Sequence, residues 1–216
     1  SYTHLFYRLG KELEYLDAKG QADTIGANLT YPLLRTRRAS LWAGLGGEHL
    51  ILSDEANTAK TRDRKLTLGN ASLTGNFFDG FAGGGLTSAS ITGTAGSVDL
   101  SGLESNKLSD DAGPKTHGGF TKMTYSLARL QRVTRLVALF GSIRGQLASG
   151  NLDSSQKFIL GGPTGVRAYP VSEAPGVEGH AMTAEARVDI PFLPVWAQTQ
   201  LVGFFDAGWI KLNRDL

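Results

Sequence analysis

The chain has 216 residues, 22 Lys and Arg against 20 Asp and Glu, a formal net charge of +2, 28 Gly and no Cys. Glycine at that frequency exceeds the usual ~7% and points to β structure with tight turns, away from a helical bundle. The small charge, with basic residues scattered among acidic neighbours, argues against a nucleic-acid partner, and without cysteine there is no disulfide scaffold, thiolate metal site or cysteine nucleophile.

The longest apolar run, 136–140, is far short of the ~18 residues that a membrane helix needs. A β-barrel stays open to such a sequence. The chain opens at Ser1-Tyr2-Thr3 with neither Met nor a charged-then-apolar leader, so a removed signal peptide or a cut chain is expected.

Period-two alternation predicts strands over residues 2–15, 24–31, 39–51, 64–77, 86–98, 115–129, 136–148, 180–190 and 195–210. In the second, Ile25, Ala27, Leu29 and Tyr31 oppose Thr24, Gly26, Asn28 and Thr30. In the seventh, Leu139, Gly141, Ile143, Gly145 and Leu147 oppose Ser142, Arg144 and Gln146. The eighth is the clearest, with Met182, Ala184, Ala186, Val188 and Ile190 on one face and Thr183, Glu185, Arg187 and Asp189 on the other. In the ninth, the same parity places Gln198, Gln200, Phe204, Asp206 and Gly208 on the polar side.

Most of these segments are longer than the ~5–6 residues usual in globular sheets, which favours strands crossing an outer membrane. The links alternate. Those at 33–38, 78–84, 130–134 and 192–194 are short, while 17–21, 53–63, 99–114 and the long 149–179 are polar and extended. Outer-membrane barrels show this rhythm, with short periplasmic turns and longer extracellular loops. Tyr31, Phe77, Phe78, Phe81, Phe192 and Trp196 gather at the short-turn end, with Tyr15 and Trp209 at the other, as interfacial girdles would. The mean hydropathy of -0.14 suits a wall with one apolar and one polar face. The competing architecture on alternation alone is a soluble antiparallel sandwich.

The most unusual segment is 155–170, SQKFILGGPTGVRAYP, within the longest link. Gly161, Gly162, Pro163 and Gly165 make a constrained turn followed by Val166, Arg167, Ala168 and Tyr169. It lacks the Gly-Lys-Ser/Thr ending and following helix of a phosphate-binding loop. On the ninth strand, Asp206 faces inward and calls for a partner; Arg167, whose guanidinium can grip a carboxylate through two hydrogen bonds, is the candidate.

LGGPTGVRAYP at 160–170, Glu173 and Glu178, EARVDIPF at 185–192 and GFFDAG at 203–208 together resemble the transporter subunits of two-partner secretion, the hemolysin-activator and filamentous-haemagglutinin type pores. The likeness is close in order and spacing over 151–212 and a matter of strand-and-loop rhythm over 1–150. It implies an all-β antiparallel transmembrane barrel of about sixteen strands. This chain would supply the fifth to thirteenth strands as part of one barrel domain, with the periplasmic POTRA domains and the last strands absent. The loop 149–179 would fold into the lumen as a plug or brace, with Arg167 at its tip, Asp206 as the wall acceptor, and Gly161, Gly162, Val166, Tyr169, Phe204 and Gly208 shaping the contact. Ala168 replaces the glycine of the commoner tip pattern, so no positive φ is expected there.

The implied function is secretion of an unfolded exoprotein of hemolysin or adhesin type across the bacterial outer membrane by a monomeric barrel in lipid. No nucleic acid, cofactor, metal or enzyme chemistry is expected. Thr183, Glu185, Arg187, Asp189, Gln198 and Gln200 would form a wet lumen wall. A passive diffusion porin with a constriction loop is the alternative; an outer-membrane lipase would need a Ser/His constellation that the sequence does not display. His4, His49, His117 and His180 lack metal-ligand spacing. Asp110 and Asp111 are expected in a solvated turn, and the sequon-like Asn28 and Asn70 lie on predicted strands.

Overall fold

The computed structural model describes residues 1–10, 17–57, 59–191 and 199–214. Nine strands form one antiparallel sheet: β1 (Tyr2–Arg8), β2 (Lys19–Arg35), β3 (Ala39–Ala56), β4 (Ala59–Asp79), β5 (Gly85–Asp99), β6 (Gly118–Arg132), β7 (Val137–Ala148), β10 (Glu178–Asp189) and β11 (Gln200–Lys211). Each pairs with its neighbours in chain order. Two short strands, β8 (Phe158–Ile159) and β9 (Pro175–Gly176), form a separate ribbon inside the long connection between β7 and β10.

The registers carry the alternation across the sheet. Thr183 of β10 stands between Ser142 of β7 and Asp206 of β11, and Ala184 between Gly141 and Phe205. One face therefore collects Ser142, Thr183, Glu185 and Asp206. The other presents Leu29 (68% exposed), Tyr31, Leu45, Ile91, Met182 and Trp209 with nothing over them. An open apolar face opposite a polar one is what a wall between lipid and water requires.

Several boundaries differ from expectation. Most of the expected link at 53–63 is sheet, with β3 running to Ala56, β4 starting at Ala59, and these two residues in register. Lys19 pairs with Glu55 at 3.0 Å and Arg64 with Asp54 at 3.2 Å. A strand wet on both faces has the composition of a loop, so polarity could not separate the two. At 18 and 21 residues, β3 and β4 reach about 60 and 70 Å at ~3.3 Å per residue, well beyond an apolar band ~25 Å tall. Likewise β2 starts at Lys19, within the expected 17–21 link, and β6 starts at Gly118.

The 99–114 link contains a helix, α1 (Glu104–Ala112), with Glu104 favourably placed in its first turn. Asp110 is buried, not solvated. It accepts hydrogen bonds from the Thr116 and His117 backbone N–H groups, each at 2.8 Å, and from Thr116 Oγ1 at 2.7 Å, tying the helix end to the approach to β6. The expected contributions of Tyr15, Phe192, Trp196, Gln198 and the 192–194 turn lie outside the described residues.

The long connection lies on the inner face. Leu152 and Val177 from it, with Leu100, pack on Leu66, Leu68, Val98, Phe120 and Ala148 of the wall, and Leu50 and Leu52 pack against this cluster. At the loop end, then, the inner wall is apolar and covered. The expected wet wall, Thr183, Glu185, Arg187, Asp189 and Gln200, lies on β10 and β11. Leu66 is completely buried here, although its composition would suit the lipid face equally well.

Candidate functional site

The long connection is fastened first near its base. Asp153 accepts from the Ser155 backbone N–H at 2.9 Å and from its hydroxyl at 2.7 Å, starting a 3-10 turn over Ser154–Gln156. Arg64 of β4 donates from Nη1 to both Asp153 oxygens, at 3.2 and 3.0 Å, and to Ser154 Oγ at 2.8 Å. Burial opposes ionisation of Asp153, but the Arg64 charge and the Ser155 hydrogen bonds outweigh it and hold the carboxyl below its ordinary range. Gln146 of β7 then donates to the Gln156 and Val177 carbonyls at 3.1 and 3.0 Å, closing the neck across both arms.

Beyond the neck, the β8–β9 ribbon is held by Arg144. Its Nε donates to the Thr164 carbonyl at 2.7 Å and its Nη2 to that of Ile159 at 2.9 Å, and its guanidinium covers the Phe158 ring at 4.6 Å. Two main-chain acceptors and one aromatic face thus fix the ribbon to β7. Phe158, Leu160, Val166 and Ala181 form a second apolar cluster, joined by Ala174 and Ile210.

The tip turn folds on itself. Val166 N–H reaches the Leu160 carbonyl at 2.9 Å, Gly165 N–H that of Gly162 at 3.0 Å, and Gly162 N–H that of Tyr169 at 3.1 Å. Gly161 bridges to Val166, and Gly162 takes φ of 102°, a left-handed value that glycine accepts freely. Ala168 is not among the residues with positive φ. Gly208 lies beneath the turn, where a β-carbon would collide with Leu160 and come within 3.3 Å of Val166. A bare backbone at 208 lets the tip seat on β11.

Arg167 projects from this turn onto the wall. Its Nε donates to Asp206 Oδ2 at 2.7 Å, its Nη2 to Oδ1 at 2.9 Å, and its backbone N–H to Oδ2 at 3.2 Å. Nη1 turns the other way, to Glu185 Oε1 at 2.8 Å. The guanidinium lies 3.7 Å over the Phe204 ring. Thr183 donates to Asp206 Oδ1 at 2.9 Å, while Arg187 grips Glu185 Oε2 from Nε and Nη2 at 2.8 and 2.6 Å and covers Phe140 at 4.9 Å.

Hydrogen bonding to Asp206, opposed by burial and aided by Glu185, holds the Arg167 guanidinium protonated more firmly than an ordinary arginine. The Asp206 and Glu185 side chains are only 4% and 9% exposed, against 28% for Arg167. Two guanidinium groups and two carboxylates alternate along this row, so the site has little net charge to offer a passing molecule.

Of the residues expected at this site, Arg167, Asp206, Thr183, Glu185, Arg187 and Phe204 are in mutual contact, and Val166, Gly161, Gly162 and Gly208 form the seat. Tyr169 contributes through its backbone; its ring is half exposed. Asp189 and Gln200 bond to each other at 2.8 Å, at the far end of their strands. Gln198 lies outside the described residues. Arg144, Phe140, Arg64 and Asp153 were not expected. Parity puts Arg144 on the inner face but cannot reveal which loop carbonyls lie opposite, while Arg64 and Asp153 are 89 residues apart in sequence.

No protein-family model matches the chain. It is 30% identical over 217 residues to the heme/hemopexin transporter protein HuxB of Haemophilus influenzae strain 86-028NP. Identity to HuxB of the strain ATCC 51907 / DSM 11121 / KW20 / Rd is 31%. In each case 99% of this chain is covered, and the chain spans 37% of the relative's length. Among solved structures, CdiB from Escherichia coli matches with TM-score 0.74 at 22% identity, covering 92% of this chain and 36% of that one. CdiB from Acinetobacter baumannii matches with TM-score 0.72 at 18% identity, covering 97% and 36%. At those identities the solved structures show the fold alone: the sheet has the architecture of a sector of an antiparallel barrel, with the long connection on its inner face.

Proposed function

We propose that this chain belongs to the two-partner secretion transporters of the outer membrane, as its likeness to HuxB supports, and that it forms part of the wall and the inserted loop of a pore that exports an unfolded exoprotein. The observation that carries this reading is the loop tip seated on the inner wall, with Arg167 donating to Asp206 and Glu185 at once. A channel for small solutes needs only an open lumen. A channel for polypeptide benefits from a wall whose charges are already paired, since an extended chain can pass such a surface without being trapped by an uncompensated ion.

The reading needs no catalytic group. The cargo is a secreted polypeptide, the barrel works as a monomer in lipid, and the energy of export comes from recognition on the periplasmic side and folding outside. The test uses the full-length transporter with its cognate exoprotein, scoring exoprotein in the medium for the wild type and for Arg167→Ala. Loss of export with normal barrel insertion supports the proposal. Unchanged export refutes the role of the loop tip, and solute uptake at full rate in cells lacking any exoprotein supports a porin.

A further inference from the structure

The three described short turns, at 36–38, 80–84 and 133–136, form the end of the sector opposite the long connection, which is the periplasmic side of the barrel. Arg37, Arg38 and Arg135 are exposed in these turns, and none of their side chains makes an ion pair or hydrogen bond among the described residues, whereas Arg132, in register with Ala138 and through it with Arg187, is on the inner face. The described carboxylates at this end are engaged, Asp79 by Arg129 at 2.8 Å and Asp189 by Gln200 at 2.8 Å. The excess positive charge is therefore uncompensated within the described sector.

Large apolar side chains stand among these arginines. Leu33, Leu34, Val133 and Leu136 are exposed, and Phe81, on the middle turn, is 75% exposed. Turns facing only water or a hydrophilic protein would not need this combination. It suits the layer where acyl chains give way to headgroups, since apolar side chains and arginine stems can enter the boundary while the guanidinium stays wet.

On the outward face, one position nearer the turns than Leu127, Arg129 stands in register with Thr87 and bonds to Asp79 at 2.8 Å and to Thr87 at 2.7 Å, so it is neutralised where the turn arginines are not.

We propose that this rim binds anionic phospholipid of the periplasmic leaflet, with headgroup phosphates against Arg37, Arg38 and Arg135 and acyl chains under Leu33, Leu34, Phe81, Val133 and Leu136. The inference rests on the membrane placement of the barrel and not on the export reading. The test reconstitutes the full-length transporter into vesicles of phosphatidylethanolamine with a minority of phosphatidylglycerol, extracts it in mild detergent and quantifies the retained lipid. The variants Arg37→Gln/Arg38→Gln and Arg135→Gln are compared with the Lys versions, and protein with folded, unheated electrophoretic mobility is assayed.

Phosphatidylglycerol should be enriched over the bulk ratio, the Arg37→Gln/Arg38→Gln pair should lower the enrichment about fivefold or more and Arg135→Gln should lower it less, the Lys versions should retain it, and high salt should weaken it. Absence of enrichment, or equal enrichment in the Gln variants, overturns the proposal. So does a Gln pair that keeps its phosphatidylglycerol but loses a periplasmic protein partner or the exoprotein, because the arginines then serve protein recognition.

Discussion

Arg167 meets Asp206 through three donors, its backbone N–H, Nε and Nη2, so the carboxylate fixes both the direction of the side chain and the position of the turn that bears it. A single ammonium could supply the charge but not this planar fork. Glu185 takes the remaining amine, which makes the tip a three-residue joint across β10 and β11.

The first prediction concerns that joint. Arg167→Lys should keep partial export, and Arg167→Ala should lose most of it while the barrel still inserts. Exchange of the two charges, Arg167→Asp with Asp206→Arg, should recover export only in part, because Asp at 167 would then face Glu185. Recovery is expected to rise when Glu185→Gln is added. A triple variant no better than the double would show that Glu185 does not sense position 167.

The seat beneath the tip gives a steric test. Gly208→Val places a branched side chain where Leu160 and Val166 rest, so the tip should lift and residues 160–170 should become sensitive to external protease in intact cells. Gly203→Ala is the matched control, since a β-carbon there meets nothing within 4 Å. Equal protease patterns in the two variants would rule out the seat.

The base of the connection should be insensitive to mild acid. The folded Asp153 carboxyl titrates below its ordinary value of 3.8. Its stabilising contribution is therefore complete above that value and is lost only as the pH falls through the lower, folded value. Protease protection of residues 149–157 should stay constant from neutral pH down to about 4. Asp153→Asn should reduce it at every pH, with a cost of about 2 kcal/mol from weakening charged hydrogen bonds to the largely buried Arg64.

The apolar inner wall separates two leucines that the sequence does not distinguish. Leu66→Ala opens a cavity at a fully buried position and should cost about 3 kcal/mol in denaturant titrations of the reconstituted barrel. Leu73→Ala, on the outward face, should cost much less, since acyl chains can fill the space it leaves. Equal losses would mean that Leu66 is not covered by the connection.

How much of this could be read from sequence differs by element. Strands with one polar and one apolar face were legible because parity survives in the composition: Thr183, Glu185 and Arg187 announce their face. The partnership of Arg167 with Asp206 came from the family resemblance together with the inward parity of Asp206, since neither residue identifies a partner 39 positions away. The outer parts of β3 and β4 were hidden because sheet wet on both sides is composed like loop. Helix α1 was hidden because its polar surface gives no apolar stripe. The apolar seat was missed because Leu50, Leu52, Leu66 and Leu68 look the same whether they face acyl chains or a covering loop.

The two fastenings lie on different strands: Arg64 on β4 holds the base of the connection, and Glu185 and Asp206 on β10 and β11 hold its tip. Four to five strand spacings separate them around the wall, an arc of about 20 Å at ~4.8 Å per strand. The connection is thus a chord drawn across that arc, and a chord of fixed length sets the curvature of the arc it subtends. Releasing either end would free this sector of wall to flatten, so the curvature of the sheet and the docking of the connection become one mechanical variable.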